Sequence, residues 1–188
     1  MYEEIIKHYQ DFPIPGIDFI DIMPFLQNKD VFNSLIRDID KVVDAPNVVT
    51  AEARGFLFAA PLLTVSDKVR NIIPARKKGK LPHSGDDLQS IEIMKEYGPD
   101  NLYFRKSDIA AGKAEDGIFK IAIIDDVLAT GGTAEGIAKA LDALTIDVDG
   151  KEYGVKVTEF IFLAELDGLY GRNRLEKIAP VHSIADIR

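Results

Sequence analysis

The chain predicts an α/β fold, with a mostly parallel central sheet flanked by helices on both faces. Three observations point there. Short apolar runs at 48–51, 71–75, 121–124 and 153–166 alternate with stretches of helical spacing. Two acids and a Gly-rich turn follow directly on the run at 121–124, as happens at the carboxyl edge of a parallel sheet. The length of 188 residues and 46% hydrophobic content suit one domain with a full core, and no repeat or Pro/Gly/Ser linker divides 1–188.

In chain order, residues 2–9 carry helical spacing, with Ile5, Ile6 and Tyr9 on one side. Pro13, Pro15 and Gly16 then break the chain. Residues 31–43 predict an amphipathic helix through Phe32, Leu35, Ile36, Ile39 and Val43. A strand at 48–51 leads through Arg54-Gly55 into an apolar helix at 56–65, and the next strand spans 71–75. A polar loop covers 76–87. Strands at 91–94 and 101–104, joined by a turn at 97–100, predict a projecting hairpin. The strand at 121–124 feeds a helix ending near Leu144, and strands at 153–166 and 179–187 finish the chain. Val48, Ile72, Ile121 and Phe160 are the expected strand centres.

Composition narrows the function. The formal charge of −8 opposes binding driven by nucleic-acid phosphates. With no cysteine there is no thiolate nucleophile, disulfide or Cys-held metal. No apolar run is long enough to cross a bilayer, and the first residues show no basic, cleavable leader, so the expectation is a cytoplasmic protein without a membrane partner.

The most informative stretch is 121–134. Asp125 and Asp126 follow the apolar run, and Ala129, Thr130, Gly131, Gly132 and Thr133 open the next helix. A helix N-terminus offers N–H groups and partial positive charge to a phosphate. The glycines allow close backbone approach and the threonines add hydroxyl donors. The paired acids suit vicinal ribose hydroxyls. Together they describe a sugar-phosphate site. Neither a Walker Lys nor a three-glycine dinucleotide fingerprint is present.

Other pieces gather on the same sheet edge. Four of the five residues from Arg76 to Lys80 are basic, against the overall sign, and such a loop can neutralise a diphosphate. Ala53 and Arg54 sit in a small turn, Glu52-Ala53-Arg54-Gly55-Phe56, that can present N–H groups and a guanidinium to phosphate oxygens. Phe19, in the segment 12–19, is either core or a stacking surface for a flat base. His8, His83 and His182 share no metal-ligand spacing.

As a block, 121–134 closely resembles the phosphoribosyl-diphosphate signature of the type I phosphoribosyltransferases. The segments Glu52-Ala53-Arg54-Gly55-Phe56, Arg76-Lys77-Lys78-Gly79-Lys80-Leu81-Pro82 and Glu96-Tyr97-Gly98, with Asp11-Phe12-Pro13, Pro15-Gly16-Ile17 and Gly171-Arg172, resemble the adenine branch over nearly the whole chain. The resemblance implies transfer of a 5-phosphoribosyl group from phosphoribosyl diphosphate to N9 of adenine, with Mg²⁺ carried mainly on the substrate, in a homodimer. It implies that residues 129–133 hold the 5′-phosphate and that Asp125 and Asp126 hold the ribose. Arg54, Arg76, Lys77 and Lys80, with Ala53 beside Arg54, would face the diphosphate. Glu96 would act as general acid/base, and Ile17 and Phe19 would cover the base from a small hood at about 10–25. A mobile loop and hairpin would span about 76–105. The chain departs from the family pattern at Ile20, usually Arg; at Asp18, commonly hydrophobic; and at Ala59, usually Gly. The change at Ile20 bears on hood closure and base selectivity. Rival readings are a transferase for xanthine, hypoxanthine or guanine, and a non-catalytic regulator that senses phosphoribosyl diphosphate.

Overall fold

A computed structural model describes residues 2–95 and 98–187. The elements are β1 (Lys7–Gln10), β2 (Asp18–Asp21), a 3₁₀ turn (Met23–Gln27), α1 (Lys29–Val42), β3 (Asn47–Ala51), α2 (Arg54–Ala59), α3 (Leu62–Val65) and β4 (Asn71–Ala75). Then come β5 (Leu88–Lys95), β6 (Gly98–Arg105), α4 (Lys106–Ala110), β7 (Ile118–Leu128), α5 (Gly132–Asp142), β8 (Thr145–Val148), β9 (Lys151–Leu166), α6 (Gly171–Leu175) and β10 (Val181–Ile187).

The central sheet runs β10-β9-β7-β3-β4 with every neighbouring pair parallel, and β8 adds antiparallel to the start of β9. Alternation along the strands divides the core in two. Val49, Ile121, Ile123, Phe160 and Phe162 pack with α5 and the β5-β6 hairpin. Val48, Ala122, Ile124, Ile161 and Leu163 pack with α1, α2 and α3. Helices therefore cover both faces, as the apolar runs predict. A bulge opposite Ile121 and Ala122 skips Thr158, so Val157 and Phe160 face the same side although three residues apart.

Several expectations are corrected. Residues 2–9 do not form a helix: Lys7–Gln10 is a strand paired antiparallel with Asp18–Asp21. Tertiary pairing overrides the local spacing, burying Ile6 and leaving Tyr9 exposed. The helix expected at 56–65 is two short ones, Arg54–Ala59 and Leu62–Val65. Pro61, lacking an N–H, interrupts the ladder between them. Of the expected strand centres, Val48, Ile121 and Phe160 are fully buried while Ile72, on the outer strand pair, is half-buried. The short α4 and β8 carry no signal that local spacing picks out.

The β5-β6 hairpin is longer than expected, with Leu88 opposite Arg105 and Lys95 opposite Gly98. Its apolar face, Ile91, Ile93, Leu102 and Phe104, is buried on α5. Gly136 makes that approach possible, since a Cβ there would lie 2.5 Å from the Glu92 carbonyl oxygen.

Candidate active site

The site grows from the carboxyl end of β7. Asp125 and Asp126 lie inside this strand, which continues to Leu128, rather than after it as the sequence suggests. The reason is β9: Phe162, Ala164 and Glu165 pair with Asp125, Val127 and Leu128 and extend the ladder past the acids. The chain then turns through Ala129, Thr130 and Gly131 into α5, with Gly131 capping the helix at φ 75°. That left-handed conformation favours glycine.

One cavity of about 730 Å³ joins these parts. Asp125 and Asp126, the 129–133 turn, Arg54, and Ile17 and Phe19 of the β1-β2 hood all line it. The twin acids and the turn thus share one concave surface, as a small-molecule site requires.

Electrostatics mark the acid pair. Asp126 is 5% exposed, and its Oδ2 lies 2.6 Å from Arg54 Nε. The Asp126 N–H donates to Asp125 Oδ1 at 2.9 Å. Burial first, and the adjoining Asp126 carboxylate second, push the Asp125 carboxyl well above its usual range. Gly55 lets α2 start this close, since a Cβ there would meet Thr50 Oγ1 at 2.4 Å and Asp125 Oδ1 at 2.8 Å.

Arg54 also ties the hood to the sheet. Its Nη1 donates to the Ile20 carbonyl at 3.1 Å, and its guanidinium lies 5.2 Å from the centre of the Phe19 ring. Phe12 packs edge-on against Phe19 at 5.2 Å. Ile20, the departure from the family pattern, turns its side chain into the core at 4% exposure and presents its backbone to Arg54.

The basic loop lies apart. Arg76 Nε binds Glu52 at 2.9 Å, and its Nη1 donates to the Lys80 carbonyl at 3.4 Å. Burial raises the Glu52 carboxyl, but Arg76 and Lys77 outweigh it and hold the group below its usual range. Lys77 and Lys80 are exposed. Neither they, Arg76, Ala53 nor His83 line the cavity. Glu96 lies outside the described residues. Among the described residues, no cluster of three His, Cys, Asp or Glu side chains could hold a metal.

Sequence reasoning missed a whole wall: Phe162, Leu166, Asp167 and Leu169 also line the cavity. They lie on β9 and the loop after it, beside β7 in the sheet but some forty residues further along the chain. A parallel strand next to a ligand-binding strand delivers its own following loop to the same edge, which is the signal that could have found them.

No protein-family model matches the chain. The adenine phosphoribosyltransferase of Ruminiclostridium cellulolyticum is 37% identical over 175 residues, 91% of each chain. Among solved structures, the adenine phosphoribosyltransferase of Thermoanaerobacter pseudethanolicus is 34% identical, with a TM-score of 0.79 over 99% of this chain and 98% of its own. That of Saccharomyces cerevisiae, in complex with adenine and an imino-altritol bisphosphate, is 30% identical, with a TM-score of 0.74 over 97% and 96%.

Proposed function

This chain belongs to the adenine phosphoribosyltransferase family, and from that premise we propose how its cavity transfers the 5-phosphoribosyl group of phosphoribosyl diphosphate to N9 of adenine, giving AMP and diphosphate in purine salvage. The observation that carries the reading is the single cavity joining the acid pair, the 129–133 turn and the hood.

The 5′-phosphate occupies the turn at Ala129, Thr130, Gly131, Gly132 and Thr133, which opens α5 with no side-chain cap on its Gly131 N-cap. Asp125 and Asp126 accept the ribose hydroxyls. Adenine lies beneath Ile17 and Phe19, the ring of Phe19 backed by Arg54. Cleavage of the C1′–O bond builds positive charge on the sugar and negative charge on the departing diphosphate. Arg54 stands at the cavity wall for that charge, while Arg76, Lys77 and Lys80 reach it by movement of the 76–87 loop. Closure of that loop excludes water that would hydrolyse the activated sugar. Glu96 takes the proton released as N9 attacks.

Mg²⁺ fits as a passenger on the substrate. Such an ion needs only one or two carboxylates beyond phosphate oxygens and water, and Asp125, Asp126 and Asp167 line the cavity. When bound it neutralises charge on the leaving diphosphate.

The proposal includes a homodimer and a cytoplasmic location. Leu63 and Val65, on α3, are 51% and 46% exposed, and a second copy of the chain would cover them. No described helix is long and apolar enough to cross a membrane. A diphosphate-release assay over adenine, hypoxanthine, guanine and xanthine, with and without Mg²⁺, tests the reading. Release with adenine that depends on Mg²⁺ is expected. Preference for a 6-oxopurine would move the chain to another base, and no release with any purine would make it a regulator.

A further inference from the structure

We infer that Arg172 is a positioning residue for the reaction, setting the phosphate turn and the part of the cavity wall made by Asp167 and Leu169 without touching substrate. The inference rests on the reading of residues 129–133 as the 5′-phosphate site.

The guanidinium of Arg172 is saturated. Nε donates to both carboxylate oxygens of Glu165, at 3.0 and 3.1 Å, and Nη2 donates to Glu165 Oε2 as well. Nη1 reaches the Val181 carbonyl at 2.8 Å, and Nη2 reaches Ser183 Oγ at 3.0 Å. Ser183 Oγ in turn donates to Glu165 Oε2 at 2.6 Å. Glu176 adds an outer contact at 3.4 Å. Glu165 is 9% exposed, so an unpaired charge there would be costly. Arg172 thereby joins the end of β9, the start of β10 and α6.

Two consequences reach the cavity. Glu165 and Arg172 bracket the segment that contributes Asp167 and Leu169 to the wall, so their fork closes that loop at its base. The second runs through the neighbour Gly171. A Cβ on Gly171 would lie 2.2 Å from the Ala129 carbonyl oxygen and 2.8 Å from Leu128 Cδ1. A Cβ on Gly131 would lie 3.2 Å from the Gly171 carbonyl oxygen. The start of α6 is thus pressed against the turn that enters α5. Glu165 also pairs with Leu128 across the β7-β9 ladder, so the clamp grips the phosphate turn from its strand as well. A planar fork holding three partners at fixed angles is work for guanidinium and not for ammonium.

Arg172→Lys and Glu165→Gln test this, with Ser183→Ala as a milder variant should either fail to fold and exposed Asn173→Ala as control. Ribose 5-phosphate binding is measured by calorimetry, KM and kcat are measured with both substrates, and the folded fraction is followed by circular dichroism. Arg172→Lys should weaken ribose 5-phosphate binding by about tenfold, the loss of one charge-assisted hydrogen bond. KM for phosphoribosyl diphosphate should rise with it while kcat and KM for adenine hold, the pattern of lost uniform binding. Ser183→Ala should follow in the same direction and Asn173→Ala should not. Binding equal to wild type, or a loss that only tracks the unfolded fraction, overturns the inference alone. A wild-type chain that ignores ribose 5-phosphate overturns the phosphate-turn reading, and the inference falls with it.

Discussion

Asp125 is a carboxyl kept where water would not keep it. Its folded value lies above the ordinary 3.8 because burial and Asp126 both resist ionisation. A raised folded value contributes stability below the unfolded value, and that contribution is lost as pH rises through the folded one. At neutral pH the residue therefore opposes folding. Asp125→Asn should raise the melting temperature at pH 7.5, and the gain should vanish near pH 4, by about 2–4 °C for each kcal/mol relieved. The same change should weaken phosphoribosyl-diphosphate binding, a trade of function against stability. An unchanged melting temperature would contradict the assigned cause. Glu96 is tested differently. Glu96→Gln should lower kcat by about 10²–10⁴-fold, the usual share of a general acid/base. Affinity for phosphoribosyl diphosphate should hold, and equal losses in both would remove Glu96 from that role.

At the scale of elements, the packing of the β5-β6 hairpin on α5 decides how the loop at 76–87 is anchored. Arg76 and Tyr103 exchange both backbone hydrogen bonds at 2.7 Å, joining the loop's start to β6. Gly136 is a point of close approach between α5 and β5. Gly136→Ala should destabilise the fold by about 1–3 kcal/mol, because the obstacle is backbone and cannot rotate aside. Chemical denaturation checks this, and a neutral result would mean the hairpin lifts freely from α5. The paired acids, the Gly-rich turn and the helix beyond were legible because each carries a residue-type signature at fixed spacing. The 153–166 strand was legible as a strand, but its contribution to the cavity was not, since strand order is a long-range property.

For the whole molecule, the proposed homodimer would cover the exposed Leu63 and Val65 of α3. If the proposed dimer forms through this surface, wild type should sediment as a dimer and Leu63→Glu as a monomer in analytical ultracentrifugation, since a charge in an apolar interface goes unpaired. A wild-type monomer would dismiss that surface.

By itself the amino-acid order determined the α/β class, the sugar-phosphate signature and the residues of the acid pair, because apolar periodicity and local backbone chemistry act over a few positions. Only the tertiary structure decided that residues 7–10 are a strand, that Arg54 joins the 18–21 strand to the acids, and that the Glu165–Arg172 fork sits at the base of a segment pressed against the turn entering α5. Each of those depends on groups distant in the chain meeting at bonding distance, which local spacing does not encode.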